Sequence, residues 1–142
     1  QRSLVGSEMC IRDSHSGVEV NIMIPCKPDH PFVYWATYSY VGELVLEGAN
    51  CYTYENGFLH AKGIIVDDMV FCYGTANMDI RSFELDFEVN AIVYDEEKAK
   101  QMVEFFRQDI EQSRLLTKNK YQSRGLFIRF KEQVSRLLSP LL

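Results

Sequence analysis

The sequence predicts an α/β fold in which a mixed, largely parallel sheet is flanked by helices, an arrangement close to α+β. Residues 17–54 follow the order strand, helix, strand, which is typical of a βαβ unit and favours parallel pairing. Further strand-like runs lie between residues 64 and 93, and helical periodicity follows them. The chain has 142 residues, 46% hydrophobic and 25% charged, which is typical of one soluble globular domain.

The βαβ unit is predicted from the period of the apolar residues. Every second residue from 18 to 24 is apolar, which predicts a strand that ends at Pro25. Apolar residues then recur at helical spacing over 34–45, and Gly48 ends this helix. A short strand is expected at 51–54.

A hairpin and a strand–helix pair follow. Apolar runs at 64–66 and 70–73 are separated by Asp67-Asp68, which predicts a tight turn between two strands. Alternation over 87–93 predicts a further strand. Apolar residues at helical spacing over 99–110 predict a helix, and its first turn carries two glutamates after Asp95.

The two ends of the chain differ from the middle. Residues 1–14 show neither clear period nor turn chemistry and no signal-peptide pattern, and are expected to be a non-native or artefactual leader. Residues 15–142 are expected to form the domain. A basic amphipathic helix is predicted at about 123–138, and its apolar stripe either packs on the domain or lies in a membrane interface. The stripe comprises Phe127, Phe130, Val134, Leu137 and Leu138.

Charge and cysteine spacing exclude several classes of protein. The net charge is −5, although residues 114–142 carry seven Lys or Arg and one acid, so an anionic surface is a candidate contact for the tail. The acid-rich body argues against a nucleic-acid partner. The cysteines lack paired spacing and do not cluster with histidines, so neither a metal site nor another cofactor is expected. Since no apolar run reaches the length of a membrane span, no transmembrane segment is predicted.

The residues that carry chemistry are concentrated between His60 and Glu88. His60 and Lys62 are two apart before the first hairpin strand, and Thr75 and Asn77 are two apart after the second. If the strands pair through the predicted turn, these four side chains meet, and Glu88 can join them from the next strand. The geometry predicts a phosphate site.

Each residue type suits a step of phosphoryl chemistry. A neutral imidazole attacks phosphorus and forms a covalent phosphohistidine. An ammonium group and an amide stabilise charge on the phosphoryl oxygens, and a carboxylate holds the imidazole in the required tautomer. The alternative is a histidine at a strand end with surface charges around it, and the second motif at the expected distance argues against that alternative.

The pattern H-x-K-x4-D at residues 60–67, followed by G-T-A-N-M-D at 74–79, resembles the HKD motif of the phospholipase D superfamily. More narrowly, residues 16–142 resemble the C-terminal catalytic half of bacterial cardiolipin synthases. The resemblance rests on IPCKPDHPFVYWATYSYVGELVLEGA, YENGFLHAKGIIVDD, YGTANMDIRSFELDFEVNAIVYD and the ending RLLSPLL. It implies a phospholipase D-like catalytic half-domain with one motif.

The resemblance also implies a role for each matching residue. His60 would be the nucleophile or general acid, Lys62 and Asn77 phosphate ligands, and Glu88 the partner of an active-site histidine. A supporting role is implied for Thr75, Asp67, Asp79, Arg81 and Ser82, with Asp67 structural. Where this chain has Asp86, the family usually has asparagine, a change that affects local hydrogen bonding.

The implied activity is phosphatidyl transfer from one phosphatidylglycerol to another, which gives cardiolipin and glycerol without a metal. Because this chemistry uses two motifs, the chain is expected to be incomplete, and inactive unless the missing N-terminal half or a second copy supplies the other. The parent would lie in the bacterial cytoplasmic membrane and contact its anionic surface. Two alternatives stay open: a homodimeric, metal-independent phosphodiesterase, either phospholipase or nuclease, and an inactive lipid-binding module.

Overall fold

The structure, a computed structural model, describes residues 5–27, 31–77, 82 and 86–138. In chain order its elements are α1 (Val5–His15), β1 (Asn21–Pro25), α2 (Pro31–Leu46), β2 (Asn50–Tyr54), β3 (Gly63–Val66), β4 (Val70–Gly74), β5 (Asn90–Tyr94), α3 (Glu96–Glu111), β6 (Ser113–Leu115), α4 (Lys118–Gln122) and α5 (Leu126–Leu138).

The first sheet contains the predicted βαβ unit. Strand β1 pairs parallel with β2, with Asn21 opposite Asn50, and α2 makes the connection between them. Strand β6, which the periodicity did not predict, pairs antiparallel on the other side of β2. The main core lies between this sheet and α2, and its buried residues are Ile24, Val41, Leu44, Val45, Ala49, Cys51 and Leu116.

The second sheet has the antiparallel order β3-β4-β5 and contains the predicted hairpin. Asp67 and Asp68 both have positive φ, 49° and 54°, as a type I′ turn requires, and Met69 N donates to Val66 O at 3.0 Å. The strand predicted at 87–93 begins only at Asn90. The reason is its partner: β4 ends at Gly74, which faces Asn90, so earlier residues have no strand to pair with.

The α/β class with a mixed sheet flanked by helices is confirmed, but the described strands form two three-stranded sheets instead of one. Helix α3 contacts strands of both sheets and so connects them. It begins as predicted, because the Asp95 side chain accepts from Lys98 N at 3.0 Å and satisfies one free amide of the first turn. Ala99 on its inner face is fully buried.

A close approach fixes α4 on α2. Tyr121 is buried and its hydroxyl donates to Ser39 O at 3.3 Å, which brings its ring directly over Gly42. A Cβ built at Gly42 would lie 1.8 Å from that ring, so only glycine fits. The absence of a side chain at Gly42 therefore allows the Tyr121 ring to pack against the middle of α2.

Helix α5 packs through the face opposite its predicted apolar stripe. It contacts α2, and its most buried residues are polar: Glu132 and Ser135 are each 1% exposed. Phe127, Phe130 and Leu137 of the stripe are exposed instead, Val134 is half-buried, and the Leu138 side chain lies outside what the structure describes. The helix begins at Leu126. The hydrophobic period therefore predicted that these residues form a helix, but it did not predict which face of the helix packs on the protein.

Residues 5–15, most of the segment predicted to be a leader, form helix α1 against α2. Ser14 Oγ donates to Glu47 O at 3.0 Å, and His15 Nε2 lies 2.6 Å from the Glu47 carboxylate. The side chains of Cys10 and Ile11 pack on the core. The non-native origin of residues 1–14 stays a prediction. In the part of the chain that the structure describes, no helix combines the length and apolarity needed to cross a membrane.

Candidate active site

His60 and Lys62 lie directly before strand β3. Lys62 O accepts from Gly74 N at 3.3 Å, which extends the hairpin ladder by one step and places Lys62 beside the end of β4. The Lys62 ammonium donates to the main-chain oxygen of His60 at 3.2 Å. The exposed imidazole of His60 stacks on the ring of Phe58, with centroids 5.8 Å apart. One face of the imidazole is thus supported by an aromatic ring.

The end of β4 is held against the start of β5 by a very close backbone approach. A Cβ at Gly74 would lie 2.1 Å from Asn90 Oδ1 and 2.2 Å from Val89 O, so a side chain cannot fit there. Beyond it, Thr75 N donates to Val89 O, and Val89 N donates to Thr75 Oγ1, both at 3.0 Å. Thr75 is therefore fixed by main-chain bonds next to Glu88.

Asn77, Ser82 and Glu88 form a chain of hydrogen bonds. Asn77 N donates to Ser82 Oγ at 3.1 Å, and Ser82 Oγ donates to Glu88 Oε1 at 3.1 Å. Ser82 is buried, and its hydroxyl links the main-chain amide of Asn77 to the carboxylate of Glu88. Glu88 is half-buried. This arrangement holds the Glu88 carboxylate in one orientation.

The structure thus places the predicted residues in two groups. The first is His60 with Lys62 before β3, and the second is Thr75, Asn77, Ser82 and Glu88 between β4 and β5. The β3–β4 pairing and the bond from Gly74 N to Lys62 O join the strand ends that carry them. Within the described residues, neither ring nitrogen of His60 has a hydrogen-bond partner. The Lys62 ammonium bonds the main-chain oxygen of His60, whereas Ser82 and Thr75 bond residues within or next to the second group.

Asp67 lies at the other end of the hairpin from this site. Strand β3 separates it from Lys62 by four residues, which is about 13 Å of extended chain. Its positive φ places it in the turn, where aspartate tolerates a left-handed backbone better than most residues do. The structure places Asp67 in a turn, at the opposite end of β3 from His60 and Lys62.

Two other predicted positions, Asp79 and Arg81, lie outside the described residues. Asp86 is exposed. The sequence assigned no role to Gly74, although it belongs to the second motif, and did not point to Asn90; these two residues set the spacing of β4 and β5 at the site. The signal for Gly74 was present, since a glycine inside a strand often marks a close backbone approach.

No cluster of three or more metal-ligating side chains occurs among the described residues. A cavity of about 280 Å³ lies elsewhere, between α2 and the first sheet, and none of its lining residues belongs to residues 60–88. Tyr34 and Tyr38, which stack at 5.9 Å, form one wall, and the ion pair of Glu55 with Arg114 forms another. Both tyrosines are half-buried at this cavity.

Solved structures with a similar fold belong to the phospholipase D family and to phosphatidylserine synthase. A phospholipase D family member, Nuc from Salmonella typhimurium, superposes with a TM-score of 0.66 at 23% identity, over 78% of this chain and 72% of that one. Phosphatidylserine synthase from Haemophilus influenzae gives a TM-score of 0.64 at 19% identity, over 92% of this chain and 34% of that one. At these identities the likeness concerns the fold alone.

Curated relatives are much closer in sequence. Cardiolipin synthase 1 of Staphylococcus epidermidis is 60% identical over 129 residues, and the major cardiolipin synthase of Bacillus subtilis is 59% identical over 127. The matches cover 91% and 89% of this chain, and 26% of each relative. The chain therefore spans about a quarter of the length of these relatives.

The match to a protein-family model agrees with the similar solved structures and with the curated relatives. Residues 5–110 match the family described as cardiolipin synthase, phospholipase D-like domain, and this range contains every described side chain of the candidate site. A match over this much of the chain, together with the phospholipase D fold, shows that the chain belongs to the phospholipase D-like cardiolipin synthase family.

Proposed function

We propose that the chain supplies the C-terminal catalytic half of a cardiolipin synthase, a phosphatidyltransferase that works through a phosphohistidine. The observation that carries this proposal is the hydrogen-bonded group Asn77–Ser82–Glu88 at the same strand ends as His60 and Lys62. The identity to cardiolipin synthases, 60% in one case, supports the choice of substrate class.

In the first step a nitrogen of the His60 imidazole attacks the phosphorus of phosphatidylglycerol. A nitrogen–phosphorus bond forms, the bond from phosphorus to the glycerol headgroup breaks, and glycerol leaves with a proton from a general acid. Lys62 and Asn77 stabilise the negative charge on the phosphoryl oxygens. Glu88, held by Ser82, stabilises the imidazolium form of a histidine.

In the second step the hydroxyl of another phosphatidylglycerol attacks the phosphohistidine. The nitrogen–phosphorus bond breaks, the hydroxyl proton passes to the group that acted as acid, and cardiolipin leaves. We assign that acid to a histidine of a second HKD motif, from the missing N-terminal half or from a second copy of the chain. The substrate places the reaction at an anionic bacterial membrane.

The test is a chimera in which residues 15–142 replace the matching quarter of the Bacillus subtilis enzyme. With labelled phosphatidylglycerol, the chimera is expected to form cardiolipin, and His60→Ala to reduce the rate about a thousandfold or more, because the attacking atom is lost. His15→Ala, at an exposed histidine on α1, is the matched control and keeps the rate. A well-expressed chimera that makes no cardiolipin would contradict the proposal.

Three variants separate the roles at the site. Glu88→Gln and Ser82→Ala both remove the fixed carboxylate contact, so each is expected to lower kcat more than it raises KM. Lys62→Gln removes a phosphate ligand and is expected to affect both. Acid-labile, alkali-stable label on the protein would identify the phosphohistidine.

A second candidate is a homodimeric phosphodiesterase that transfers to water. The observation that favours it is the fold, since the chain superposes on the Salmonella phospholipase D family member with a TM-score of 0.66. Hydrolysis of a simple phosphodiester by the isolated chain, in proportion to its dimer fraction and abolished by His60→Ala, would favour this candidate over transfer.

A further inference from the structure

Helix α5 has two opposite faces, and the polar one packs on the protein. Glu132 and Ser135 point inward, Arg124 Nε lies 2.9 Å from the Glu132 carboxylate, and Arg136 pairs with Glu43 on α2. A surface helix of a globular protein usually buries its apolar stripe instead. The contacts that hold α5 in place therefore leave its apolar side unused.

The exposed face of α5 is strongly apolar. Leu126 is 81% exposed, Phe127 69%, Phe130 66% and Leu137 81%. At 100° per residue these four side chains fall within about 100° of one another, on the side away from Glu132 and Ser135. We call this set the α5 stripe. Contiguous apolar surface of this kind marks a contact with a partner or a membrane.

Positive charge borders the α5 stripe on both sides. By helical position Arg129 lies on one flank and Lys131 on the other, and the Lys131 ammonium sits 4.6 Å from the centre of the Phe127 ring. Of the seven basic residues after Glu111, Arg114, Arg124 and Arg136 form ion pairs. The remaining four have no carboxylate within 4.0 Å among the described residues: Lys118, Lys120, Arg129 and Lys131.

We infer that the α5 stripe inserts into the interfacial region of an anionic lipid bilayer, with Arg129 and Lys131 against the headgroups. An apolar stripe with basic flanks is the pattern of helices that lie in the plane of a membrane surface. A protein partner would need acidic residues around an apolar groove, whereas an anionic bilayer offers both features everywhere. The inference rests on the proposed function, since a phospholipid substrate requires a lipid surface within reach.

Vesicle sedimentation of the 142-residue chain tests the inference without any activity. With vesicles of phosphatidylglycerol and phosphatidylcholine, the wild type is expected to bind, and with phosphatidylcholine alone to bind far less. Arg129→Gln with Lys131→Gln is expected to weaken partitioning about 30-fold, because each basic side chain near such a surface contributes about 1 kcal/mol. Phe127→Ser with Phe130→Ser is expected to weaken it about tenfold or more.

Phe105→Ser is the matched control. Phe105 on α3 is a phenylalanine of similar exposure that lies outside the α5 stripe, so its loss should leave binding unchanged. Trp35, whose ring lies 5.5 Å from the Lys131 ammonium, gives an independent fluorescence signal for events at α5. Circular dichroism confirms that each variant keeps its helices.

Three results would overturn the inference: equal binding by wild type and the Phe127/Phe130 variant, equal loss in Phe105→Ser, or loss of self-association instead of vesicle binding. The last would make the α5 stripe an interface between copies. The two proposals fail in different experiments. If the proposed function is wrong, the chimera makes no cardiolipin, whereas binding of the chain to vesicles is unaffected. His60→Ala should bind vesicles as well as the wild type.

Discussion

Single residues at the site work through the backbone as much as through their side chains. Thr75 is held by hydrogen bonds from its main-chain amide and to its hydroxyl, both with main-chain atoms of Val89, and this is possible because Gly74 lets β4 and β5 approach closely. Ser82 then fixes Glu88 from the other side. Gly74, Thr75 and Ser82 therefore help to position the residues that we propose as phosphate ligands.

Gly74→Ala is expected to lower the free energy of unfolding by about 1–3 kcal/mol, because the new methyl group meets backbone atoms that cannot move aside easily. Urea unfolding followed by circular dichroism measures the change. Gly125→Ala is the matched control, since a Cβ there has no neighbour within 4 Å and its backbone φ is not positive. Equal stability of the two variants would show that β4 and β5 lie further apart than they do in the structure.

Cys51 is expected to resist alkylation in the folded protein. It is fully buried in the main core, its thiol lies 3.8 Å from Val41 O, and burial raises the pKa of that thiol to about 12. Since the thiolate is the reactive form, iodoacetamide at pH 8 should label the partly exposed Cys26 and Cys72 well before Cys51. Peptide mass spectrometry gives the order, and urea should abolish the protection.

At the scale of the elements, α5 shows how a helix can dock through charge. Arg124 lies over the Tyr121 ring at 3.1 Å while facing the Glu132 carboxylate, although neither Arg124 Nε nor Glu132 Oε1 makes a well-aligned hydrogen bond within the described residues. Burial raises the pKa of Glu132, and the nearby Arg124 and Arg129 lower it only in part. An ionised Glu132 is therefore costly to fold.

The pH dependence of stability should show this cost. A raised pKa means that the folded state binds the proton more tightly, so Glu132 stabilises the fold more below its ordinary pKa of 4.5 and less as pH rises through its folded value. The free energy of unfolding of wild type relative to Glu132→Gln should therefore fall with rising pH above 4.5. Urea titrations at several pH values measure it.

Glu104→Gln on α3 is the control for this titration, because Glu104 is exposed and its pairing with Arg107 spans 4.0 Å. Its pH profile should follow that of the wild type. A wild type that instead gains stability over Glu132→Gln as pH rises would reverse the sign of the argument and assign a net favourable energy to the buried charge pair.

At the scale of the whole molecule, one face of the second sheet is apolar and open. Cross-strand register places Ile64, Cys72 and Ile92 on this face, next to Val66, Val70 and Tyr94, and helix α3 contacts β3 and β4. Ile64, Val66, Ile92 and Tyr94 are all exposed. Open apolar sheet surface favours self-association.

The isolated chain is therefore expected to self-associate at micromolar concentration through this face. Ile92→Thr with Tyr94→Thr should shift the sedimentation distribution toward the monomer, because both changes keep strand propensity and remove apolar area. Phe105→Ser, at an aromatic on α3 that is as exposed as Ile92, serves as the comparison. If both variants associate as the wild type does, another surface is responsible.

The sequence alone determined those features that depend on local chemistry. Alternation, helical period, Asp95 and the Asp67-Asp68 pair predicted the βαβ unit, the hairpin and α3, because each is encoded within a few neighbouring residues. The spacing of His60, Lys62, Thr75, Asn77 and Glu88 likewise predicts a candidate site, because phosphoryl transfer uses these residue types, and this stays a prediction.

Only the tertiary structure decided what depends on contacts between distant segments. The division into two sheets, the late start of β5 and the addition of β6 follow from which strands find partners. The inward face of α5 is the one that carries Glu132 and Ser135 against α2, where Arg136 pairs with Glu43, 93 residues away in the sequence. Hydrophobic patterning predicts that an apolar face will be buried against something. Contacts with distant segments decide which face is buried within the protein itself.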